Sequence, residues 1–478
     1  MNRRVSLGGL VALSLLTAAC SVVGPDHQRP DTPLPAQFEG DAHAGSARVP
    51  ADWWRAFGDP QLDALVADAM ERSPDARQLL AQIDEAEAAL REALAVFSPQ
   101  IDLGAQGSRS RITTLGAQPV FAGIPVVRTD LRLAASTAFE LDFWGRLRRG
   151  VEAVEAQTAA SYLSADITRL TLASATVQAY LLLRSIDAQL AATRTALSLR
   201  SESLALIRRR AAGGLVSDLD VAQAEGARAD SEAQLIELER QRSLVERQLG
   251  GLTGRPGLTV VPGDLKALPL PPVPPVGLPS ALLDRRPDLR LAEQNLVAAN
   301  ARIGVARAAM LPTISLTGSL GGQSRDLSDL LASGARIWSL GFGLTLPIFD
   351  AGRLAARAEQ AEARHRQLLA AYQKAAEAAF REVADALSGI ERSARAEGVI
   401  EQRLAAARTA HGLAMRRYEA GYSSYLEVLD ADRVRNDAEI ALVRNRQARL
   451  SFSVDLMKAL GGGWMEPIAA RSAPAAAR

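Results

Sequence analysis

Residues 214–221 read GLVSDLDV and residues 421–428 read GYSSYLEV, so a glycine, a serine, a leucine, an acidic residue and a valine recur in the same order. The second stretch follows the first by 207 positions (421 − 214), and the GRL at 145–147 recurs as the GRL at 352–354 at the same offset. Repetition at a fixed offset indicates one structural unit that is duplicated along the chain.

Each copy contains a long stretch that lacks proline and is rich in Ala, Leu, Arg and Glu. Proline is absent from residues 126–255 and again from residues 348–466, and the four abundant residue types are strong helix formers. A glycine-containing segment divides each stretch, at residues 213–217 and 420–424. Glycine after a helix, followed by a serine that can cap the next helix, predicts a tight reversal. Each copy should therefore form a helical hairpin with arms of up to ~100 Å, at about 1.5 Å per residue.

Four shorter segments alternate between apolar and polar residues. They cover about residues 99–111, 130–142, 312–322 and 336–348, with Ile, Leu, Phe or Trp on one side and Ser, Thr, Gly, Arg or Glu on the other. This period of two predicts β-strands. A soluble half-buried sheet and an outer-membrane sheet, apolar towards lipid, give the same alternation. The N-terminal sequence, described below, and the long hairpins favour the membrane alternative over the soluble sheet. The four strands argue against a purely mechanical coiled-coil stalk.

Four strands are too few for a membrane barrel, because the smallest outer-membrane barrels have about eight. An open sheet edge in lipid would leave backbone N–H and C=O groups without hydrogen bonds. The membrane alternative therefore predicts that several chains share one barrel, whose polar faces line a water-filled pore.

The N-terminus predicts export and lipidation. An apolar run over residues 10–16 follows two arginines, and small residues precede Cys20, the sole cysteine. This pattern predicts a signal peptide over residues 1–19 and lipidation of Cys20, with Thr17 at the position where bacterial lipoproteins usually have leucine. An ordinary signal peptide with an incidental cysteine is the alternative. By resemblance to bacterial lipoproteins, Ser21 favours the outer membrane.

Composition argues against several classes of function. The 55 basic and 54 acidic residues nearly cancel to a net charge of +1, which gives no indication of a nucleic-acid partner. The four histidines are scattered without metal-ligand spacing, and no nucleophile elbow or phosphate-binding loop occurs. We therefore expect no enzymatic activity, no cofactor and no metal.

A set of short motifs spread over the chain carries a family resemblance. They are GPDHQRP at 24–30, WW at 53–54, DFWGR at 142–146, RRPD at 285–288, LPIFD at 346–350, RYEAG at 417–421 and KALGGGW at 458–464. Together they resemble the TolC-like outer membrane efflux proteins, specifically the NodT/OprM-type lipoproteins that serve resistance-nodulation-division (RND) pumps. The resemblance covers almost the whole mature chain, with His27 in place of the usual tyrosine.

The resemblance implies a mixed α and β membrane protein of TolC-like fold. Its trimer would form a twelve-stranded outer-membrane β-barrel, four strands per chain, continued by a long periplasmic α-helical barrel. The expected segments are a signal peptide (1–19), a lipidated N-terminal segment (20–60), a first repeat (61–254), a proline-rich linker (255–280), a second repeat (281–463) and a C-terminal tail (464–478).

The same resemblance implies a passive, gated outer membrane channel of a tripartite efflux pump that exports small molecules such as drugs. Its partners would be two further copies of the chain, outer membrane lipid, a periplasmic adaptor (membrane fusion protein) and an inner-membrane RND-type pump. A type I protein-secretion channel of the same fold is the main alternative. A periplasmic adaptor is less consistent with the sequence, since it should have one hairpin within soluble β domains.

Candidate site residues are also carried over from the family. Leu426 and Asp430, just after the second turn, would narrow a periplasmic gate that Tyr418 helps to hold. Three symmetry-related copies of Asp430 would ring the axis with like charges. A solvated helix residue is the alternative for Asp430, and hairpin packing is the alternative for Leu426. The turn residues expected to contact the adaptor are Gly214, Ser217, Leu219, Gly421, Ser424 and Tyr425.

Overall fold

The structure, a computed structural model, describes residues 22–33, 35, 38, 49–113, 115, 125–277 and 279–464. The predicted signal peptide and lipidation site at Cys20 lie outside these residues, as do residues 465–478 of the predicted tail.

Two pairs of long helices dominate the chain. Helix α1 spans Pro60–Arg72, α2 Pro74–Leu94, α3 Arg146–Ala212, α4 Asp218–Leu252, α5 Leu282–Arg285, α6 Pro287–Ala308, α7 Arg353–Glu419 and α8 Tyr425–Ala459. Helices α3 and α7 each have 67 residues, and α4 and α8 each have 35. The duplicated sequence thus gives two hairpins with equal arms.

Short local signals set where the helices begin. Proline opens α1, α2 and α6, where a missing backbone N–H costs no helical hydrogen bond. At α1 the Asp59 carboxylate also accepts a hydrogen bond from the Gln61 backbone N–H at 2.9 Å. None of the helices in the described ranges is both long enough and apolar enough to cross a membrane.

The sheet has four strands in the order β1-β2-β3-β4, with every neighbouring pair antiparallel. The strands are β1 Gln100–Arg111, β2 Val127–Leu141, β3 Thr313–Ser324 and β4 Arg336–Thr345. The largest differences from the sequence-based expectation are at two bounds, since β2 begins three residues before 130 and β4 ends three residues before 348. Pro347 explains the earlier end of β4, because proline has no N–H to donate to a strand ladder.

The strand register places most of the large apolar side chains of the sheet on one face, with Ile337 on the other as an exception. One row across the four strands is Leu103, Ala135, Leu320 and Trp338; the adjacent row is Asp102, Ser136, Ser319 and Ser339. Cross-strand partners point to the same face and successive residues to opposite faces, so one face is apolar and the other polar. In a single copy of the chain, the side chains of this apolar face are exposed: Leu103 is 75% exposed and Trp338 is 76% exposed.

The structure divides into two compact units, and neither corresponds to one sequence repeat. One unit comprises Met1–Pro30, Asp84–Ala160 and Ala292–Ala371, and the other comprises Asp31–Ile83, Ser161–Leu291 and Tyr372–Arg478. Each unit combines segments of both copies. The two copies therefore interleave within each unit.

In the first unit, the N-terminal motif at 24–30 packs against α3 and α6. Arg149, which is buried, bonds the Asp26 carboxylate at 2.6 Å and that of Glu152 at 2.8 Å. Asn300 donates to the backbone carbonyl of Pro25 at 2.7 Å. A side chain at Gly24 would meet the Gly304 backbone at 2.6 Å, so the close approach of the motif to α6 requires glycine.

In the second unit, the proline-rich linker packs on the helices and contains one 3-10 turn, Leu265–Ala267. Leu265, Leu268 and Val276 are buried in the hydrophobic core of the unit. Arginine side chains of three helices donate to linker carbonyls: Arg184 to Val261 at 2.6 Å, Arg242 to Val260 at 2.7 Å, and Arg446 to Leu268 at 3.0 Å. The linker is thus held by apolar burial together with hydrogen bonds from charged donors.

Candidate gate and docking site at the hairpin ends

Both hairpins turn through the same backbone motif. Gly214 and Gly421 have positive φ values of 69° and 76°, which glycine adopts without strain. The bonds that close the helices are Leu215 N–H to Arg210 O (2.9 Å), Gly214 N–H to Ala211 O (2.9 Å), Tyr422 N–H to Arg417 O (2.8 Å) and Gly421 N–H to Tyr418 O (3.1 Å). These are the paired bonds of a Schellman motif, which satisfies the last carbonyls of α3 and α7.

The helices that follow the two turns are capped differently. Ser217 and Asp220 form a capping box at the start of α4, each side chain accepting from the other residue's backbone N–H, at 3.3 and 3.1 Å. Ser424 occupies the same position before α8 but makes no side-chain cap bond. A capping serine typically contributes ~1 kcal/mol to helix stability, so the second turn lacks a local stabilisation that the first has.

A small apolar cluster joins the two hairpin ends. Tyr418 and Tyr425 are 8% and 4% exposed, with ring centroids 5.4 Å apart. The guanidinium of Arg210 lies 5.4 Å from the centroid of the Tyr418 ring, a cation–π contact between the hairpins. The buried members of the cluster are Leu204, Ile207, Ala224, Tyr418, Tyr425 and Val428.

The cluster changes the interpretation of two predicted site residues. The buried ring of Tyr418 contacts residues of both hairpin ends, and its role at a gate stays a prediction. The ring of Tyr425 is equally buried, and its side chain therefore offers little surface to an adaptor. We do not retain Tyr425 as a docking residue; its burial depends on the opposite hairpin, which the local sequence does not reveal.

A largely buried ion pair connects the hairpins just beyond the cluster. The Arg200 guanidinium on α3 bonds the Asp432 carboxylate on α8 at 2.9 Å and donates to the Ala227 carbonyl and the Ser231 hydroxyl of α4 at 3.0 and 2.7 Å. Arg435 bonds the other Asp432 oxygen at 2.5 Å. Removing one charged partner of such a group leaves the other charge without a counterion. Loss of either side chain should therefore strongly destabilise the contact between the hairpins.

His411 on α7 lies beside this ion pair. Its Nε2 is 3.8 Å from an Asp432 carboxylate oxygen. Burial is the main cause that lowers the pKa of His411 below its usual value, and the charge of Arg435 lowers it further, while Asp432 acts in the opposite direction. The neutral imidazole is therefore the form that the folded hairpin ends favour.

The two residues expected to narrow the gate are both exposed on α8. Leu426 is 57% exposed, and the side chain of Asp430 is 63% exposed. Arg433 pairs with Asp430 at 2.8 Å and lies 3.6 Å from Asp437. The carboxylate at this position thus has a basic neighbour, which the spacing of three residues on a helix could have indicated from the sequence.

The remaining turn residues present an exposed apolar surface. Leu219 is exposed, as are Leu215 and Tyr422 in the turns themselves. A Cβ added at Gly214 or Gly421 would meet no atom of a non-neighbouring residue within 4 Å, so both glycines have open surroundings. Apolar side chains clustered at an exposed end are typical of a protein contact site. Within the described ranges, no group of His, Cys, Asp or Glu residues is placed to hold a metal ion.

Comparison with known protein families gives a match over both repeats. The model of the family described as "Outer membrane efflux protein" matches residues 65–255 and 278–462. These ranges include both hairpins and all four strands.

Two relatives match along nearly their full length. The chain is 38% identical over 467 residues to the outer membrane protein OprJ of Pseudomonas aeruginosa, covering 96% of this chain and 95% of that protein. It is 35% identical over 483 residues to the toluene efflux pump outer membrane protein TtgC of Pseudomonas putida, covering 96% of each.

Solved structures show the same fold. The outer-membrane channel OprN superposes with a TM-score of 0.85 at 30% identity, over 92% of this chain and 99% of that one. The open state of the MtrE outer membrane channel of Neisseria gonorrhoeae superposes with a TM-score of 0.83 at 30% identity, over 93% of this chain and 98% of that one. The predicted TolC-like fold is confirmed.

Proposed function

The chain belongs to the outer membrane efflux protein family, and on that premise we propose that it is the outer membrane channel of a tripartite efflux pump. The family comprises efflux channels, which are not a class of enzyme. The channel conducts small molecules passively, and three copies of the chain form it. A periplasmic adaptor and an inner-membrane RND-type pump complete the assembly. The relative TtgC is named as a toluene efflux pump outer membrane protein, which supports export of small molecules rather than protein secretion.

The observation that carries the proposal is the pair of adjacent rows across the sheet. Leu103 and Trp338 belong to an exposed apolar row, and Asp102 and Ser339 belong to a polar row one residue away. An apolar outer face towards lipid and a polar inner face towards a lumen is the arrangement of outer-membrane β-barrels. Three chains would contribute twelve strands, and the edge strands β1 and β4 would then pair between chains.

Bilayer conductance with a parallel mass measurement tests this function. We expect the purified, detergent-extracted protein to be a trimer with small, mostly closed currents in planar bilayers. A monomer without conductance would contradict the channel and would revive the adaptor or stalk alternatives.

We assign the gate to Leu426, Asp430 and Tyr418. The exposure of Leu426 and Asp430 on α8 leaves both side chains free to project into a pore, and charge and side-chain size at a constriction both select ions. Because Arg433 pairs with Asp430, the cation preference of the ring should be weaker than three unpaired carboxylates would give.

Substitutions at the gate test this assignment. Leu426→Ser and Asp430→Ala should each raise the resting single-channel conductance several-fold, because they remove an apolar constriction and a charged ring. Leu215→Ser in the first turn and Asp230→Ala on α4 are matched controls that should leave the conductance unchanged. Unchanged current in the gate variants, or an equal rise in the controls, would refute the assignment.

We assign adaptor contact to Gly214, Ser217, Leu219, Gly421 and Ser424, which lie in or beside the two turns. The exposed Leu219 and the open space around both glycines support this assignment.

We also assign lipidation to Cys20, on the sequence pattern alone. Mass spectrometry of the intact protein should find acyl chains on the wild type and none on Cys20→Ser. An unacylated wild type would refute the assignment of a lipid anchor to Cys20.

A further inference from the structure

A cavity of about 370 Å³ lies between the hairpins beside the apolar cluster. Its walls come from α3 on one side and from α7 and α8 on the other. Apolar wall residues are Leu206, Ile207, Met415, Val428 and Leu429. A cavity of this size is at the lower end of the range for small-molecule sites, and apolar walls of this extent suit an aromatic or short aliphatic body.

Two buried polar atoms of the cavity lining have no hydrogen-bond partner among the described residues. They are the hydroxyl of Tyr418, whose side chain is more than nine-tenths buried, and the Nε of Arg435. Buried polar groups in native proteins nearly always have a partner, and each exception calls for an explanation. Both groups can donate a hydrogen bond, so an acceptor group such as a carboxylate has the chemistry that each of them lacks.

The buried charges of the cavity favour an anionic acceptor. Arg200 and Arg435 share the single carboxylate of Asp432, which leaves one formal positive charge among three side chains that are each less than a fifth exposed. His411, which also lines the cavity, favours its neutral form. The remaining charged lining residues, Glu202, Arg209 and Glu419, are exposed to solvent, where water screens them.

We propose that this cavity is a binding site for a small carboxylic acid with an apolar body, such as an aryl carboxylate. The carboxylate accepts hydrogen bonds from the Tyr418 hydroxyl and the Arg435 Nε–H, and the ring packs against Ile207, Met415 and Val428. Because the ligand contacts both hairpins, it stabilises their closed arrangement and opposes opening of the channel. Only this last effect rests on the proposed function; the binding itself does not.

Calorimetric titration of the purified full-length protein with 2-naphthoate tests the site. We expect saturable binding with one ligand per chain. The neutral analogue 2-naphthalenemethanol should bind about tenfold more weakly, because it loses a charge-assisted hydrogen bond. Absence of saturable binding, or equal affinity for the two compounds, would overturn the proposal.

Matched variants locate the binding. Tyr418→Phe removes one donor and should weaken naphthoate binding about tenfold, whereas Tyr422→Phe removes an exposed hydroxyl of the same turn and should not. Leu206→Trp fills the cavity from an exposed position on α3 and should abolish binding even if Tyr418→Phe proves unstable. Binding that survives Leu206→Trp would place the ligand elsewhere and overturn the assignment.

Conductance separates the two parts of the inference. With binding established, naphthoate should lower the open probability of the wild-type channel and leave Leu206→Trp unaffected. Binding without any change in gating would refute the regulatory effect and keep the site. A protein that binds naphthoate but never conducts would contradict the proposed function instead.

Discussion

The two hairpin ends have equal helices but different chemistry. Their arms are 67 and 35 residues long in both copies, and both turns close with the same backbone bonds. The first end is fixed by its own capping box between Ser217 and Asp220. The second end has no side-chain cap and is instead held through contacts to the first, by Tyr418 and Asp432.

Several residues near the end of the second hairpin differ in kind from those at the equivalent positions of the first hairpin. At the constant offset of 207, Tyr418 corresponds to Ala211, Asp430 to Gln223, and His411 to Leu204. Tyr418, Asp430 and His411 thus lie where the copies diverge, whereas the gate residue Leu426 corresponds to the identical Leu219. A self-capped end keeps its shape alone, while an end held by contacts to its neighbour can be released by weakening those contacts. We therefore expect the second hairpin to move during gating.

Loss of the buried carboxylate should have the largest effect. Asp432→Ala leaves Arg200 and Arg435 without their shared counterion and should destabilise the contact between the hairpins by about 3–5 kcal/mol. Hydrogen exchange should then rise over residues 197–212 and 411–435. The matched control is Glu225→Ala, which removes the exposed partner of Arg208 at the equivalent position and should change little. Equal effects of both variants would remove the distinction between the two ends.

Loss of a capping serine should have a smaller and one-sided effect. Ser217→Ala should destabilise the start of α4 by about 1 kcal/mol, because it removes the reciprocal capping bonds. Ser424→Ala should leave α8 unchanged within error, since its hydroxyl makes no cap bond. The measurement is hydrogen exchange of the first turn of each helix. A loss of protection in α8 as large as that in α4 would show that the two caps are equivalent.

The smallest expected effect is a pH dependence confined to the second end. The pKa of His411 is lower in the folded protein than its usual value near 6.5, mainly through burial and also through Arg435, with Asp432 opposing. As the pH falls, the unfolded state therefore takes up this proton at a higher pH than the folded state does. The free energy of unfolding should fall as the pH drops through about 6.5, and above that pH His411 should cause no change in it.

A histidine variant isolates this contribution. His411→Asn should lose part of the difference in melting temperature that the wild type shows between about pH 7.5 and pH 5.5. Hydrogen exchange should place the change near residues 404–419 and not near residues 197–204. An identical pH dependence in wild type and variant would exclude His411 as its source.

Much of the fold could be predicted because its signals are local. Proline-free stretches rich in helix formers predicted the long hairpins, glycine and serine placed both turns, and alternation predicted the four strands. The end of β4 at Thr345 was missed by three residues, since Pro347 interrupts the ladder within an otherwise alternating segment. The motif resemblance predicted the family, and the family match confirmed it.

Less of the candidate site could be predicted, because its contacts join distant segments. Leu426 and Asp430 were assigned from the family, and the structure adds Arg433 as the neighbour of Asp430. Tyr425 was expected at the surface, but the opposite hairpin buries it. No local pattern indicated that His411 would lie beside Asp432.

The sequence by itself determined that the chain is duplicated, where each helix reverses, and which residues of each strand share a face. These properties follow from backbone preferences and periodicity over a few residues. Only the tertiary structure decided that Arg200 pairs with Asp432, 232 positions away, and that an apolar cluster with a cavity beside it forms between the hairpins. Such contacts depend on how two long helices pack against two others, and the free energy of packing is a property of the assembled side chains and not of either segment alone.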